Sequence, residues 1–450
     1  MAAVLPNPAM QDLKITYQES TLVLPCQQTQ TKTTFLSNID HFLNFNVPMA
    51  HFFRASPDFP PETVATRLKM AVEKVLLHYD FMAGRLKWNH HCGRAEIECN
   101  SAGVGFLVAS SELSVNDIGD LACPNLGFRQ LSAQKLDGLS EHDQPLCIFQ
   151  VTSFKCGGFA IGISMNHILL DGIAAKMFQE NVASQAFEDQ RLLQYVPFHD
   201  RRLLAARSPP LVTFPHPEIF KPMGPALGLP IQGSNQPLSR TVLKMSSKDI
   251  DFLKAKAKFS STDENVKLTS FKVVAALVWQ CRALSSCDVD KNGDRDATIF
   301  TVVDLRSRLK EIHLPAEYCG NAIYGGYASA KCKEIEEWPF SKLVGMVSEG
   351  VDKVNDEYVR SAIDWMEMNK GGLPLGDCIV SSWLRLGFDR VAFPWGRPVQ
   401  CVPVANQLER LCWVFPESGG EGVNVLVQRP NEEMERFIIH FQDFFADTKC

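Results

Sequence analysis

The sequence predicts a mixed α/β fold of two domains joined by a long crossover, and three observations support this. Strand-like alternation and helical spacing of apolar residues are mixed in both halves of the chain. A chain of 450 residues is long for one core and favours two domains of roughly 200 residues each. Nine prolines between residues 195 and 239 exclude helix and central strand there. We therefore expect an N-terminal domain over residues 1–195, a linker over 196–238 and a C-terminal domain over 239–450.

The N-terminal half contains several strand patterns and one clear amphipathic helix. Apolar residues recur at helical spacing from Val64 to Tyr79, and prolines precede them, where a missing N–H costs nothing. These features predict a helix. Strands are predicted over residues 15–25, 49–53, 95–98 and 104–109, with a turn or short helix at 34–40.

A strand–turn–helix pattern surrounds His167. Residues 146–154 and Phe159–Asn166 predict a hairpin, and alternation gives its second strand a bulky face that ends at His167. Asp171 and Gly172 then predict a tight turn into a helix. A histidine in apolar surroundings is commonly a core residue, but at a strand end it can also project into a cleft and accept a proton.

The C-terminal half again mixes strands and helices. Thr269 and Ser270 predict the N-terminal cap of an apolar helix over residues 271–283, which we expect to be buried. Further helices are predicted over residues 247–258, 342–355, 359–369 and 431–445. Strands are predicted over residues 239–244, 298–304, 322–328, 378–386, 411–415 and 423–427.

Composition excludes several classes of protein. The net charge of −6 gives no nucleic-acid footprint, and the 14 cysteines show no Cys-x-x-Cys pair or zinc spacing, so no metal site is expected. No secretory signal and no apolar run of membrane-spanning length is present. We expect a cytoplasmic protein with reduced thiols and no membrane span. Arg201, Arg202 and Arg207 form either a solvated face or cations for a phosphate-bearing ligand.

Several motifs in order resemble the plant BAHD family of acyl-CoA-dependent acyltransferases, and the resemblance covers nearly the whole chain. The central motif is Asn166-His167-Ile168-Leu169-Leu170-Asp171-Gly172, which matches the His-x-x-x-Asp-Gly signature of the family. Further matches are Ala83-Gly84-Arg85-Leu86 and the segments at residues 201–210, 269–282, 318–321 and 380–383. Their order is more specific than any single motif.

One motif departs from the family pattern. The late Asp-Phe-Gly-Trp-Gly motif of the family is replaced here by Ala392-Phe393-Pro394-Trp395-Gly396. Losing the aspartate removes an ion-pair partner, and Pro394 fixes one backbone angle. The departure puts the usual packing of this loop in doubt but does not remove the catalytic base.

The resemblance implies a fold like that of chloramphenicol acetyltransferase, with two related domains and a channel between them. Acyl-CoA, as a co-substrate, and a small-molecule acceptor would enter from opposite sides, with no permanently bound cofactor. His167 would be the general base for direct attack in a ternary complex. The resemblance also implies a monomer of plant specialised metabolism.

The resemblance also assigns roles to residues around the histidine. Asp171 would be structural and would pair with Arg306, with Arg308 as the second choice. Trp383, on one predicted strand face with Ser381, would donate its indole N–H to the oxyanion, although a core tryptophan is the plain alternative. Ser37 and Asn38 are candidates to line the acceptor pocket.

The substrate pair stays open at this level. The block Phe35-Leu36-Ser37-Asn38-Ile39-Asp40 resembles relatives that move hydroxycinnamoyl groups onto long-chain alcohols or hydroxy acids. This favours an aromatic acyl donor, hydroxycinnamoyl or benzoyl, and an alcohol acceptor; an amine acceptor remains an alternative. A peptide-forming condensation domain is disfavoured because Asn166 stands where those domains usually carry a second histidine. A non-catalytic binding or regulatory relative is the remaining alternative.

Overall fold

The computed structural model shows a mixed α/β protein, which confirms the predicted fold class. It describes residues 2–5, 12–123, 126–189, 191–220, 238–259, 268–370, 373–374, 376–404, 408–417 and 421–446. Part of the predicted linker, residues 221–237, therefore lies outside the described residues. In its described part the linker contains one short 3₁₀ turn, Arg201–Leu204, and a two-residue strand, as its prolines predict.

The helices and strands are numbered here in chain order. The helices are α1 (Asn38–His41), α2 (Pro61–Val75), α3 (Gly172–Gln185), α4 (Ser247–Phe259), α5 (Ser270–Asp290), α6 (Cys332–Glu337), α7 (Phe340–Lys353), α8 (Asp356–Met368) and α9 (Asn431–Ala446). The strands of the N-terminal half are β1 (Ala3–Leu5), β2 (Ile15–Val23), β3 (Lys32–Thr34), β4 (Asn46–Phe53), β5 (Arg85–Asn89), β6 (Arg94–Cys99), β7 (Val104–Ser111), β8 (Cys147–Phe154) and β9 (Phe159–Asn166). Those that follow are β10 (Ile219–Phe220), β11 (Leu238–Met245), β12 (Asp296–Asp304), β13 (Ile323–Lys331), β14 (Leu373–Pro374), β15 (Cys378–Ser382), β16 (Gln400–Pro403), β17 (Leu411–Pro416) and β18 (Val423–Pro430).

A six-stranded sheet carries the histidine strand in its interior. Its order is β16-β4-β9-β8-β7-β2, so β9 lies between β4 and β8 with antiparallel partners on both sides. The small residues of β9 are required by close packing, since a Cβ on Gly162 would lie 1.8 Å from the carbonyl oxygen of Leu131. Helices α2 and α3 pack on the sheet through apolar contacts such as Phe149 with Phe178.

The second large sheet has seven strands, in the order β1-β11-β18-β17-β15-β12-β13. Helix α5 crosses it with a continuous buried apolar run from Val273 to Val278, and α7 and α9 pack against α5. The burial predicted for this helix is therefore observed. The helix extends beyond the predicted residues 271–283, because no breaker stands between Ala283 and Asp290.

The two sheets exchange strands across the predicted domain boundaries. Strand β1, at the start of the chain, pairs with β11 in the seven-stranded sheet, and β16, near residue 400, pairs with β4 in the six-stranded sheet. The division at residues 195 and 239 stays a prediction. The exchanged strands tie the two halves together around the space between the sheets.

Other differences from the sequence prediction are local. The pattern did not predict β1, β3, β5 or β16, which are short or follow prolines and depend on partners far away in sequence. The strand predicted over residues 378–386 was wrong beyond Ser382. The chain turns there, and the backbone N–H of Leu386 donates to the carbonyl of Trp383. Trp383 therefore follows the strand and does not share its face by alternation with Ser381.

Candidate active site

His167 is fixed at the end of β9 by its own backbone. Its N–H donates to the carbonyl oxygen of Phe45 at 2.8 Å, and the rings of Phe45 and His167 lie 5.5 Å apart. The histidine therefore sits where the six-stranded sheet ends and the turn to α3 begins. Its side chain remains partly exposed.

Asn321 sets the orientation of the His167 ring. The Oδ1 atom of Asn321 lies 3.0 Å from Nδ1 of His167. The side-chain nitrogen of Asn321 donates to the His167 carbonyl oxygen at 2.9 Å and to Oδ1 of Asp40 at 2.8 Å. Because the amide nitrogen faces two oxygens, its oxygen must face the ring and accept a hydrogen bond from Nδ1–H. Nε2 is then the ring nitrogen with a free lone pair.

A buried ion pair supports Asn321 from behind. Asp40 and Arg201 are almost fully buried, and their Oδ1 and Nη1 atoms lie 2.8 Å apart. The same guanidinium also donates to the carbonyl oxygens of Ile168 and Leu169, just after the histidine. Arg201 therefore neither faces solvent nor is free for a phosphate, because it is buried, its charge is paired with Asp40, and both Nη atoms donate within this network.

Asp171 begins α3 and has no free oxygen left for His167. Its Oδ1 accepts a hydrogen bond from the N–H of Ala174, as a helix cap, and its Oδ2 accepts from the N–H of Ala322. Arg306 completes the set, with its Nη1 2.9 Å from Oδ2 and its Nη2 3.1 Å from Oδ1. The next residue must be small, since a Cβ on Gly172 would meet the Leu386 side chain at 2.7 Å.

Arg306 pairs with Asp171 as the resemblance implies, and Arg308 does not. Arg308 donates instead to the carbonyl oxygens of Val351 and Val354. Burial lowers the pKa of Arg306, but Asp171 and Asp304 outweigh this effect and raise the pKa above its ordinary value. The guanidinium is therefore a permanent cation that joins β12 to the start of α3.

A cavity of about 140 Å³, here named the catalytic cavity, opens beside His167. Its lining comes from both sheets and is mostly apolar, with Val47, Met49 and Met165 on one side and Val302 and Ile323 on the other. The exceptions include His167 and the hydroxyls of Ser381 and Ser382. The cavity suits an apolar ligand with one polar reacting end.

Trp383 and Ser381 both line the catalytic cavity. Trp383 makes edge contacts with Trp413 and Phe388, at ring distances of 5.2 and 5.3 Å, and is 7% exposed. Ser381 is aligned with Trp413 across the parallel pair β15–β17. The structure therefore brings His167, Ser381 and Trp383 to one cavity, although a turn and not strand alternation brings Trp383 there.

Ser37 and Asn38 lie outside the lining of the catalytic cavity. Ser37 is fully buried, and its hydroxyl donates to Oδ2 of Asp40 as part of the cap of α1. Asn38 donates to the carbonyl of Ile363 and to Glu367 on α8. Their place as acceptor-pocket residues stays a prediction, and in this structure both side chains are engaged elsewhere. Ser37 reaches His167 only through Asp40 and Asn321.

Sequence reasoning missed the roles of Asn321 and Asp40. From sequence, residues 318–321 are identified only as a segment that matches the family, and Asp40 only as part of the block at residues 35–40. The signal that could have identified them is their residue type, since a buried Asn and Asp need hydrogen-bond partners. The hydrogen-bond partners of Asn321 and Asp40 could not be predicted, because residues 40, 167, 201 and 321 are distant from one another in the sequence.

The electrostatic environment keeps His167 neutral. Burial lowers the pKa of His167 below its ordinary value, and the hydrogen bond with Asn321 and the charges of Asp171 and Asp40 only partly oppose this. A neutral imidazole at pH 7 can accept a proton. Across the described ranges, no group of three or more His, Cys, Asp or Glu side chains could hold a metal ion.

The altered loop at Ala392-Phe393-Pro394-Trp395-Gly396 forms a closed turn. Phe393 and Gly396 exchange backbone hydrogen bonds, and the rings of Phe393 and Trp395 stack at 5.0 Å. Both rings are buried against Phe53, whereas Ala392 is exposed. At this position, where the family has aspartate, the side chain points into solvent, so its replacement by alanine leaves no unpaired buried charge.

The chain matches known proteins over nearly its whole length. A family model described as Transferase family matches residues 13–444. The chain is 44% identical to the acyltransferase GLAUCE of Arabidopsis thaliana, over 99% of this chain and 98% of that protein. It is 32% identical to an omega-hydroxypalmitate O-feruloyl transferase of Arabidopsis thaliana, over 94% and 92% of the two chains. It is 31% identical to anthranilate N-benzoyltransferase protein 1 of Dianthus caryophyllus, over 96% and 100%.

Solved structures share the fold at low sequence identity. Vinorine synthase superposes with a TM-score of 0.73 at 21% identity, over 94% of this chain and 96% of that one. The F. graminearum protein TRI101, solved with coenzyme A and deoxynivalenol, gives a TM-score of 0.72 at 13% identity, over 90% and 96%. The family match over residues 13–444 and the relative at 44% identity show that the chain belongs to the Transferase family of BAHD acyl-CoA-dependent acyltransferases and is an enzyme of the acyltransferase type.

Proposed function

We propose that the protein moves an aromatic acyl group, hydroxycinnamoyl or benzoyl, from acyl-CoA to an alcohol. The observation that carries this proposal is the contact between Asn321 and Nδ1 of His167, which leaves Nε2 as the base beside an apolar cavity. The acceptor hydroxyl gives its proton to Nε2 as its oxygen attacks the thioester carbonyl. The C–S bond then breaks, and the proton passes to the sulfur, which yields an ester and free CoA.

The other predicted site residues support this reaction in different ways. Asp171 and Arg306 hold the turn after His167 and the start of α3 against β12, so they act through geometry. Trp383 lines the catalytic cavity and would donate its indole N–H to the oxyanion, with Ser381 beside it. No protein nucleophile is needed, because both substrates can meet in one ternary complex.

Two features support an aromatic donor. The catalytic cavity is mostly apolar and carries the aromatic rings of Trp383, Phe388 and Trp413. Relatives at 30% identity or more include transferases named for feruloyl, hydroxycinnamoyl and benzoyl groups. Acyl-CoA is the co-substrate in this proposal, and TRI101 was solved with coenzyme A bound.

An amine acceptor is the second candidate, because the anthranilate N-benzoyltransferase relative is named for N-acylation. A neutral amine would attack the thioester carbonyl with its lone pair, and the same His167 would take a proton from the nitrogen as the C–N bond forms, so the catalytic geometry serves both acceptors.

We further propose that the protein is a cytoplasmic monomer. Among the helices of the described residues, none is both long and apolar enough to cross a membrane.

The test is a matrix of acyl-CoA donors against acceptors. Benzoyl-, p-coumaroyl-, feruloyl- and acetyl-CoA are each incubated with aliphatic alcohols, hydroxy acids, aromatic alcohols and amines, and products are identified by mass spectrometry. We expect an ester from an aromatic donor and an alcohol. Exclusive formation of amides would replace the alcohol acceptor by an amine. Absence of any product across the matrix would support the non-catalytic alternative.

A further inference from the structure

A second cavity lies next to the catalytic cavity, on the other side of two aromatic rings. It has a volume of about 170 Å³, and Val399, Cys401 and Phe415 contribute to its lining. Among the described residues, Trp383 and Phe388 are the two that line both cavities. These two rings, here named the aromatic wall, therefore separate the cavities.

The aromatic wall is fixed by ring contacts on both sides. Phe388 is 4% exposed, and its ring makes edge contacts with Trp383 at 5.3 Å and with His51 at 6.2 Å. Trp383 is backed in turn by Trp413 at 5.2 Å. The backbone before Phe388 turns sharply at Gly387, whose φ of +73° places it in the left-handed region. A ring held by packing and by a tight turn closes the path and does not swing freely.

The His51 side chain that contacts the Phe388 ring carries no charge at pH 7. His51 is 2% exposed, and burial lowers its pKa to about 4, so it is neutral at pH 7. Its Nδ1 lies 3.2 Å from the sulfur of Cys401, and burial raises the pKa of that thiol well above its ordinary value. The second cavity combines apolar lining from Val399 and Phe415 with the carboxylates of Asp389 and Glu417, so an apolar chain that passed the wall would find apolar surroundings for part of its length.

We propose that Phe388 limits the length of the acyl group that the catalytic cavity accepts; this inference rests on the proposed acyl transfer. We assign the contact with the aromatic wall to the acyl group. Near its carbonyl end the acyl group has no polar atom besides the thioester, so it can pack against apolar rings. Compact acyl groups such as benzoyl end before the wall. Longer linear acyl groups run into the Phe388 ring. Phe388→Ala removes one of the two rings that separate cavities of about 140 and 170 Å³ and should open a path from the first into the second.

The experiment compares acyl-CoA length profiles at one fixed acceptor. Full-length wild type and Phe388→Ala are assayed with benzoyl-CoA and with linear acyl-CoAs from hexanoyl to dodecanoyl. We expect the ratio of kcat/KM for dodecanoyl over hexanoyl to rise about tenfold or more in Phe388→Ala, because each excluded methylene costs about tenfold or more. Phe388→Leu should give an intermediate rise, and it carries the same test if the alanine variant does not fold.

Phe415→Leu is the matched control, because Phe415 lines the second cavity but not the catalytic cavity. It enlarges the second cavity behind an intact wall and should leave the ratio unchanged. A flat ratio in folded, active Phe388 variants overturns the proposal. A second series holds benzoyl-CoA fixed and lengthens the acceptor alcohol, and a shift seen only in that series also overturns the proposal. If wild type consumes no acyl-CoA at all, the proposed function fails and this inference fails with it.

Discussion

Oδ1 of Asn321 lies 3.0 Å from Nδ1 of His167, and the amide nitrogen of the same asparagine is fixed by Asp40 and by the His167 backbone. This one side chain therefore selects both the tautomer and the direction of the imidazole. The arrangement resembles the way a carboxylate orients the histidine of a hydrolytic triad, but with a neutral group. A neutral partner orients the ring and stabilises an imidazolium less than a carboxylate would.

Asn321→Ala should lower kcat by about tenfold to a hundredfold, the usual effect of removing a group that orients a functional imidazole. KM should change little, because Asn321 is fully buried and orients the base from behind. Steady-state kinetics measure this split. Asn355→Ala is the control, since Asn355 caps α8 with its side chain and is remote from His167 in the hydrogen-bond network. A normal kcat in folded Asn321→Ala would refute the positioning role.

Asp171→Ala should lose activity through stability. The variant removes the buried carboxylate from Arg306 and leaves it the more exposed Asp304 as its ion-pair partner; breaking one side of such a buried pair costs about 3–5 kcal/mol of unfolding free energy. Urea unfolding measures this loss. Glu141→Ala, in the exposed pair with Lys135, should cost about 1 kcal/mol or less. Soluble, stable and inactive Asp171→Ala protein would contradict the structural role and point to chemistry at Asp171.

The variant Trp383→Phe distinguishes the proposed role of Trp383 as oxyanion donor from its role in the aromatic wall. Phenylalanine keeps an aromatic ring but lacks the N–H, so kcat should fall about a hundredfold if the indole stabilises the oxyanion. Trp395→Phe provides the comparison, because Trp395 is also buried but packs on Phe393 in the altered loop. Equal kcat values in the two variants would leave Trp383 with only its packing role.

His51 makes stability depend on pH. Its pKa is about 4 in the folded protein and near 6.5 in an unfolded chain, so below pH 6.5 the unfolded state binds a proton that the folded state does not. Stability is therefore lost as pH falls from 6.5 to 4. At about 1.4 kcal/mol per unit the loss is about 3 kcal/mol. His51→Gln should remove this part of the pH dependence in urea unfolding, and parallel wild-type and variant curves would disprove it.

Site residues that are close together in the sequence could be predicted, whereas contacts between distant segments could not. His167, Asp171 and Gly172 lie within one strand–turn–helix unit, so their spacing was readable. Asp40, Arg201 and Asn321 come from three distant segments and meet through hydrogen bonds that no periodicity encodes. These long-range partners depend on packing and could not be predicted.

The same distinction applies to the fold. Helix α5 and strand β9 have strong patterns of their own, and both were predicted. Strand β16 has four residues, follows Pro398 and exists because β4 offers a free edge. Trp383 lines the same cavity as His167, but a turn after β15 brings it there and not the predicted strand alternation.

The most direct test of the account is release of CoA from acyl-CoA by wild type and by His167→Ala. Both proteins are first matched for thermal unfolding, and thiol release is then followed with the best donor and acceptor pair. The account predicts acceptor-dependent release by wild type and a loss of about a hundredfold to ten-thousandfold in His167→Ala, the usual contribution of a general base. Equal rates for the two proteins would contradict His167 as the base.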